Sequence, residues 1–215
     1  MGQSAKLMKN QSSATVTTLL NQFGLVSDQV DKDQLKVILG ELGKTLTNGL
    51  DGAVVEFGCY IGTTSLFIRR LLDNYKDTRQ FHVYDSFTGL PPKTAADESR
   101  AGDQFQAGEL AVSKKQFLIQ FQKANLKPPI IHKGWFKDIT SNEVPDQISF
   151  AFLDGDFYES IRDSLRLVLP RMQQGGVIII DDYAREALPG AARAAHELLS
   201  GKQITTVRNL GIVHL

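Results

Sequence analysis

The chain has 215 residues, enough for one domain with a substantial core, and balances 24 Lys and Arg against 24 Asp and Glu. A neutral chain gives no global electrostatic reason to hold nucleic acid or an anionic membrane, so the expected partner is a small molecule. The single cysteine, Cys59, excludes an internal disulfide, and no early stretch pairs a basic flank with a long apolar run, so a cytoplasmic setting is expected.

In chain order, residues 1–13 are polar and read as a mobile tail. A Leu- and Val-rich helix over 30–48 follows, the core of an N-terminal helical cap over 30–50. Its apolar face has two partners open to it: the sheet, or a second subunit in a homodimer. "AVVEF" (53–57) reads as a strand, 63–72 as a helix and "FHVYD" (81–85) as a second strand. The polar stretch over 86–110 is too long for an ordinary connection in a compact domain and is expected to be an active-site lid. A helix resumes near Ala111, with Phe117 and Phe121 on one face. Strands follow at 129–133, 148–154 and 176–181; between the last two, Ile161, Leu165 and Val168 keep an i, i+4, i+7 helical stripe. A helix over 184–200 and a hairpin of "QITTVR" and "GIVHL" close the chain.

Almost wholly apolar strands separated by amphipathic helices specify an α/β fold: a doubly wound, mostly parallel, Rossmann-like sheet with a C-terminal antiparallel hairpin, one domain over 1–215. Ligands of such sheets bind outside the carboxyl ends of the strands, where strand order reverses. Acids stand at four of those ends: Glu56, Asp85, Asp154, and Asp181 with Asp182. In "LDGDFYES" (153–160), Asp156 follows Asp154 by two. Asp156 has a second reading, because "DFYE" has capping-box spacing with Glu159; Asp181 and Asp182 have one as turn residues. Carboxylates gathered on one rim repel each other and resist ionising together unless a cation joins them. An all-oxygen donor set suits magnesium, with manganese or calcium as substitutes, and disfavours zinc.

"EFGCYIG" (56–62) sets Gly58 and Gly62 in the turn after the first strand, with Thr63 opening the next helix. It is not the dinucleotide fingerprint, since Tyr60 stands where the second glycine would be, which counts against a nicotinamide enzyme. Glu56 would repel a pyrophosphate and suit a cationic amino group, while Asp85 suits ribose hydroxyls. S-adenosylmethionine combines the two. His132 and Lys133, at the end of the third strand, are alternative bases, and Cys59 has no adjacent His to activate it.

With "VVEFGCYIGTTS" (54–65), "VYDSFTGLP" (83–91), "KGWFKDIT" (133–140), "FLDGDFYES" (152–160) and "GGVIIIDDY" (175–183) in this order, the chain resembles the macrocin O-methyltransferase (TylF-like) family of class I methyltransferases. The resemblance implies an enzyme using S-adenosyl-L-methionine and Mg2+. It implies that Asp154, Asp181 and Asp182 hold the metal and that Asp156 is the general base. It also implies donor contacts from Glu56, Gly58, Gly62, Asp85, Ser86 and Trp135, a set that Tyr60, Thr63 and Asp154 complete. The expected acceptor is a small molecule with paired oxygens, a sugar on a secondary metabolite, with a catechol-type phenol as the alternative and a non-catalytic donor-binding domain as the other class.

Overall fold

The computed structural model describes residues 3–102 and 104–215, with side chains described from residue 13 onward. Five parallel strands form most of a seven-stranded sheet: β1 (Ala53–Phe57), β2 (Phe81–Asp85), β3 (Ile130–Lys133), β4 (Ile148–Leu153) and β5 (Met172–Ile180). β6 (Thr205–Val207) and β7 (Leu210–His214) form the terminal hairpin, and β7 pairs with β5 antiparallel. The order is β3-β2-β1-β4-β5-β7-β6, so the succession of strands reverses between β1 and β4. That reversal opens a crevice at the carboxyl ends of these two strands.

β1 and β4 are buried along their whole length, as their continuous apolar runs require of central strands covered on both faces. Alternate residues serve alternate layers. Val54, Val83, Phe150, Phe152 and Ile179 share one core with α1 (Gln3–Gln22), α2 (Lys32–Thr47), α3 (Thr63–Asn74) and α4 (Lys114–Lys123). Val55, Tyr84, Ala151, Leu153, Ile178 and Ile180 share the other with α5 (Tyr158–Val168) and α6 (Pro189–Leu198). Each fully buried Leu or Ile contributes roughly 1.5–3 kcal/mol relative to an exposed one, so these two layers carry most of the stabilisation.

The helix expected over 30–48 is α2, capped by a reciprocal Asp31–Gln34 box. Its Leu35, Ile38, Leu39 and Leu42 are fully buried against α1, α3 and the sheet, so its apolar face is accounted for within one chain. Three expectations are corrected. Of the tail over 1–13, residues 1 and 2 lie outside the described residues, and from Gln3 the chain is helical: no Gly or Pro interrupts it before Gln22, and Val16, Leu19 and Leu20 anchor its second half. The last long helix starts at Pro189 rather than 184, since residues 181–188 fold into turns and Pro at the first helical position sets the start. β5 begins at Met172, four residues before its apolar run. Among the described residues no helix is long and apolar enough to cross a membrane.

Candidate active site

Around the reversal point, four strand exits turn sharply, and each carries a non-glycine residue with left-handed backbone: Tyr60 (φ 48°) after β1, Phe87 (φ 55°) after β2, Asp156 (φ 60°) after β4 and Asp182 (φ 54°) after β5. Such conformations cost about 1 kcal/mol or more each and gather at functional sites. Gly58 is obligatory here: a Cβ on it would lie 1.8 Å from the Asp154 carbonyl oxygen. The first turn can therefore press directly against the β4 exit, and the two walls of the crevice meet at Gly58 and Asp154.

Asp85 is the organiser of the first wall. Its Oδ2 accepts from the Cys59 and Tyr60 amides at 2.8 and 3.3 Å, and its Oδ1 from the Phe87 amide at 2.7 Å. One carboxylate thus ties the β1 turn to the β2 turn. The second wall is different. Asp154, Asp156, Asp181 and Asp182 all line the cavity, and burial pushes the proton affinity of every one of them up. Mutual repulsion adds to this for Asp154, Asp156 and Asp181, taking Asp181 to about 7. Partners are few. Asp181 Oδ1 accepts from the Asp182 amide (2.8 Å) and, at 3.5 Å, from the Gln34 side chain; Asp182 Oδ1 accepts from Arg185 Nη1 (3.1 Å). Among the described residues the side chains of Asp154 and Asp156 accept no hydrogen bond at all.

The capping question has a clear answer. α5 begins at Tyr158 with Phe157 as N-cap, and Asp156 makes no cap bond. The Tyr158 amide donates instead to Asp97 Oδ1 at 2.7 Å, from within the 86–110 segment. Gly190 is what admits this contact, because a Cβ there would fall 1.9 Å from Asp97 Oδ1. Asp156 is left free to face the cavity.

The 86–110 segment is folded back over this region. Leu90 and Glu109 exchange backbone contacts through the Leu90 amide (2.9 Å), and the Ser99 hydroxyl donates to the Glu186 carbonyl at 2.6 Å. Its Leu90, Pro91, Phe105 and Leu110 supply apolar lining to the cavity. The cavity holds about 100 Å³ of space for solvent-sized molecules and opens to solvent at its mouth.

Of the residues singled out in the sequence, Gly58, Tyr60, Asp85, Ser86, Trp135, Asp154, Asp156, Asp181 and Asp182 line this cavity. Glu56, Gly62 and Thr63 do not. Glu56 is 1% exposed beneath the turn, accepts the Ser65 hydroxyl at 2.5 Å, and burial raises its carboxyl to about 8. The structure thus encloses it beneath the turn rather than in the lining of the cavity. Gly62 lies against the Phe117 ring, and the Thr63 hydroxyl is bonded to that of Ser27 (2.8 Å). His132 is also elsewhere, hydrogen-bonded to His82 at 3.0 Å and stacked on Tyr84, and Lys133 does not reach the cavity. Sequence reading missed Gln29, Phe105, Phe136 and Arg185 in the lining. Only Arg185 carried a signal, as a cation three residues past the second Asp of "IIIDD".

A family model described as macrocin-O-methyltransferase (TylF) matches residues 28–210. The chain belongs to the macrocin-O-methyltransferase family. Among curated relatives it is 36% identical over 149 residues to the 8-demethyl-8-(2,3-dimethoxy-alpha-L-rhamnosyl)-tetracenomycin-C 4'-O-methyltransferase of Streptomyces olivaceus, covering 66% of this chain and 57% of that protein. It is 32% identical over 161 residues to the mycinamicin III 3''-O-methyltransferase of Micromonospora griseorubida, covering 71% and 62%. The matches thus span less than two-thirds of the length of these relatives. Among solved structures, the O-methyltransferase NovP superposes with a TM-score of 0.77 at 22% identity, over 98% of this chain and 99% of that one. The calicheamicin methyltransferase CalS11 gives 0.70 at 17%, over 100% and 97%. At such identities these likenesses establish the fold, the Rossmann-like class I methyltransferase fold with C-terminal antiparallel strands. In this member of the macrocin-O-methyltransferase family, no three His, Cys, Asp or Glu among the described residues are already arranged as the ligands of an ion.

Proposed function

We propose that the chain transfers the methyl group of S-adenosylmethionine to a hydroxyl on the sugar of a small natural product, with magnesium at its acidic rim. The observation that carries the reading is the meeting, at one switch point, of an open glycine turn and four carboxylates with too few partners. The relatives' names, which include a rhamnosyl-tetracenomycin methyltransferase, support the acceptor class.

Gly58, Tyr60, Asp85, Ser86 and Trp135 wall the side suited to the nucleoside and amino-acid tail of the donor. Asp154, Asp181 and Asp182 would hold the cation. The fit is one of donor chemistry: the oxygens are hard, desolvated and mutually repelling, and the groups resist ionising without a positive partner. Magnesium there supplies Lewis acidity and a template for neighbouring hydroxyl oxygens. Asp156 takes the proton of the attacking hydroxyl. Free of capping duty and lining the cavity two residues from Asp154, it is placed to accept that proton. The 86–110 segment serves as the lid, its apolar wall excluding water from the reacting oxygen.

The test is a screen of glycosylated and catechol-type compounds with isotopically labelled S-adenosylmethionine, with and without excess chelator. Label in a sugar hydroxyl, abolished by chelator, is the expected result. Transfer undiminished by chelator would remove magnesium from the proposal, and label on phenols alone would overturn the acceptor class.

A further inference from the structure

Among the described residues, the one Lys or Arg lining the cavity is Arg185. It sits in the turn after β5, donating from Nη1 to Asp182 Oδ1 at 3.1 Å. The same guanidinium lies 4.7 Å from the centroid of the Phe105 ring. Phe105 belongs to the 86–110 segment, has left-handed backbone (φ 63°), and packs with Leu110 on the small cluster of Leu90, Phe157 and Leu188. One side chain therefore pairs with an acid of the rim and lies over an aromatic ring of the cover. A guanidinium, planar and always charged, makes both contacts together where an ammonium would make only the first.

We propose that Arg185 is a positioning residue that couples the acids to the cover: paired with Asp182 it holds Phe105 and the 86–110 segment down, and a divalent cation competing for Asp182 releases that hold. Two cations beside one carboxylate repel each other, here tempered by the partial exposure of the Arg185 side chain. Linkage then makes the effect reciprocal, so the factor by which closure weakens cation binding is the factor by which the cation weakens closure. The cation enters a site whose cover it loosens, and the acceptor, lying against the apolar wall, brings the cover back. This rests on the reading of the acids as a cation site, and the test separates the two.

Mn2+ binding to the full chain is measured by calorimetry for the wild type, Arg185→Gln, Arg185→Lys and Phe105→Leu. Limited proteolysis of the 86–110 segment is followed with and without Mn2+, in the absence of methyl donor and acceptor. Arg185→Gln is expected to bind Mn2+ about three- to tenfold tighter, the range of a partly exposed ion pair, and to be cleaved faster whether or not Mn2+ is present. Arg185→Lys, which keeps the charge, and Phe105→Leu gain less Mn2+ affinity than Arg185→Gln yet lose protection, since neither retains the contact between guanidinium and ring. In the wild type, Mn2+ alone accelerates cleavage. If Mn2+ binds the wild type but leaves cleavage unchanged, or binds Arg185→Gln no more tightly, the coupling is overturned and the cation site stands. If the wild type binds no Mn2+, both fall.

Discussion

The two walls of the crevice use the same residue type in the same region, an Asp at or just past the end of a parallel strand, to opposite ends. Asp85, the last residue of β2, spends both oxygens on three backbone amides and locks two turns together. Asp154 and Asp156 after β4 accept no hydrogen bond from described residues, and with Asp181 and Asp182 they crowd one another in a desolvated rim. The difference is between a carboxylate whose oxygens the fold itself engages, tying two turns together, and carboxylates the fold leaves short of partners, which suits these to the cation binding and proton transfer proposed above.

The largest effect that would break this comparison is on turnover. Asp156→Asn should lower the methyl-transfer rate by about two to four orders of magnitude, the range of a lost general base, while donor binding by calorimetry stays within a few-fold; near-normal turnover would remove Asp156 from the chemistry. Next come two stability changes of opposite sign. Asp85→Asn should destabilise the chain by about 1–3 kcal/mol in denaturant titration, because an amide cannot accept from all three backbone donors. Asp154→Asn in chelator should stabilise it by roughly 1 kcal/mol, because it removes one of several repelling charges. If both changes destabilise alike, the distinction between the walls is lost.

The pH dependence is a smaller effect. Burial lifts Glu56 from 4.5 to about 8, and burial with the Asp182 charge lifts Asp181 from 3.8 to about 7. Between those limits the folded chain holds more protons than the unfolded one, so stability falls as pH rises. In chelator the melting temperature should therefore drop from about pH 5 to about pH 8, with the part due to Glu56 absent in Glu56→Gln and the part due to Asp181 offset by Mg2+. A melting temperature that climbs over this range would contradict the assignment. Smallest is the cap: Asp97→Ala should cost about 0.5–2 kcal/mol through the start of α5, seen as faster amide exchange at Tyr158.

The fold was legible because β1, β4 and β5 announce themselves as continuous apolar runs, and the rim was legible because their ends carry acids. What was hidden depends on contacts between distant segments. Nothing in "TAADES" marks Asp97 as the cap of a helix 61 residues later, so "DFYE" looked like its own capping box. Glu56, next to last in β1, reads as an acid at the strand's end, but it packs with Ser65 beneath the turn rather than at the cavity. α1 was missed because its polar first half carries no periodic apolar stripe, and its second half becomes helical against α2.

Asp97 also limits how the cover can travel. A loop that supplies the first hydrogen bond of a helix cannot peel away as a whole without fraying that helix, and α5 starts two residues from Asp156. Under the proposed lid role, a movement opening the mouth would pivot beyond Asp97, carrying the stretch around Phe105 while the stretch around Thr94 stays anchored. The carboxylate proposed as the base would then be insulated from that motion, because the pivot is pinned to the helix start two residues from it.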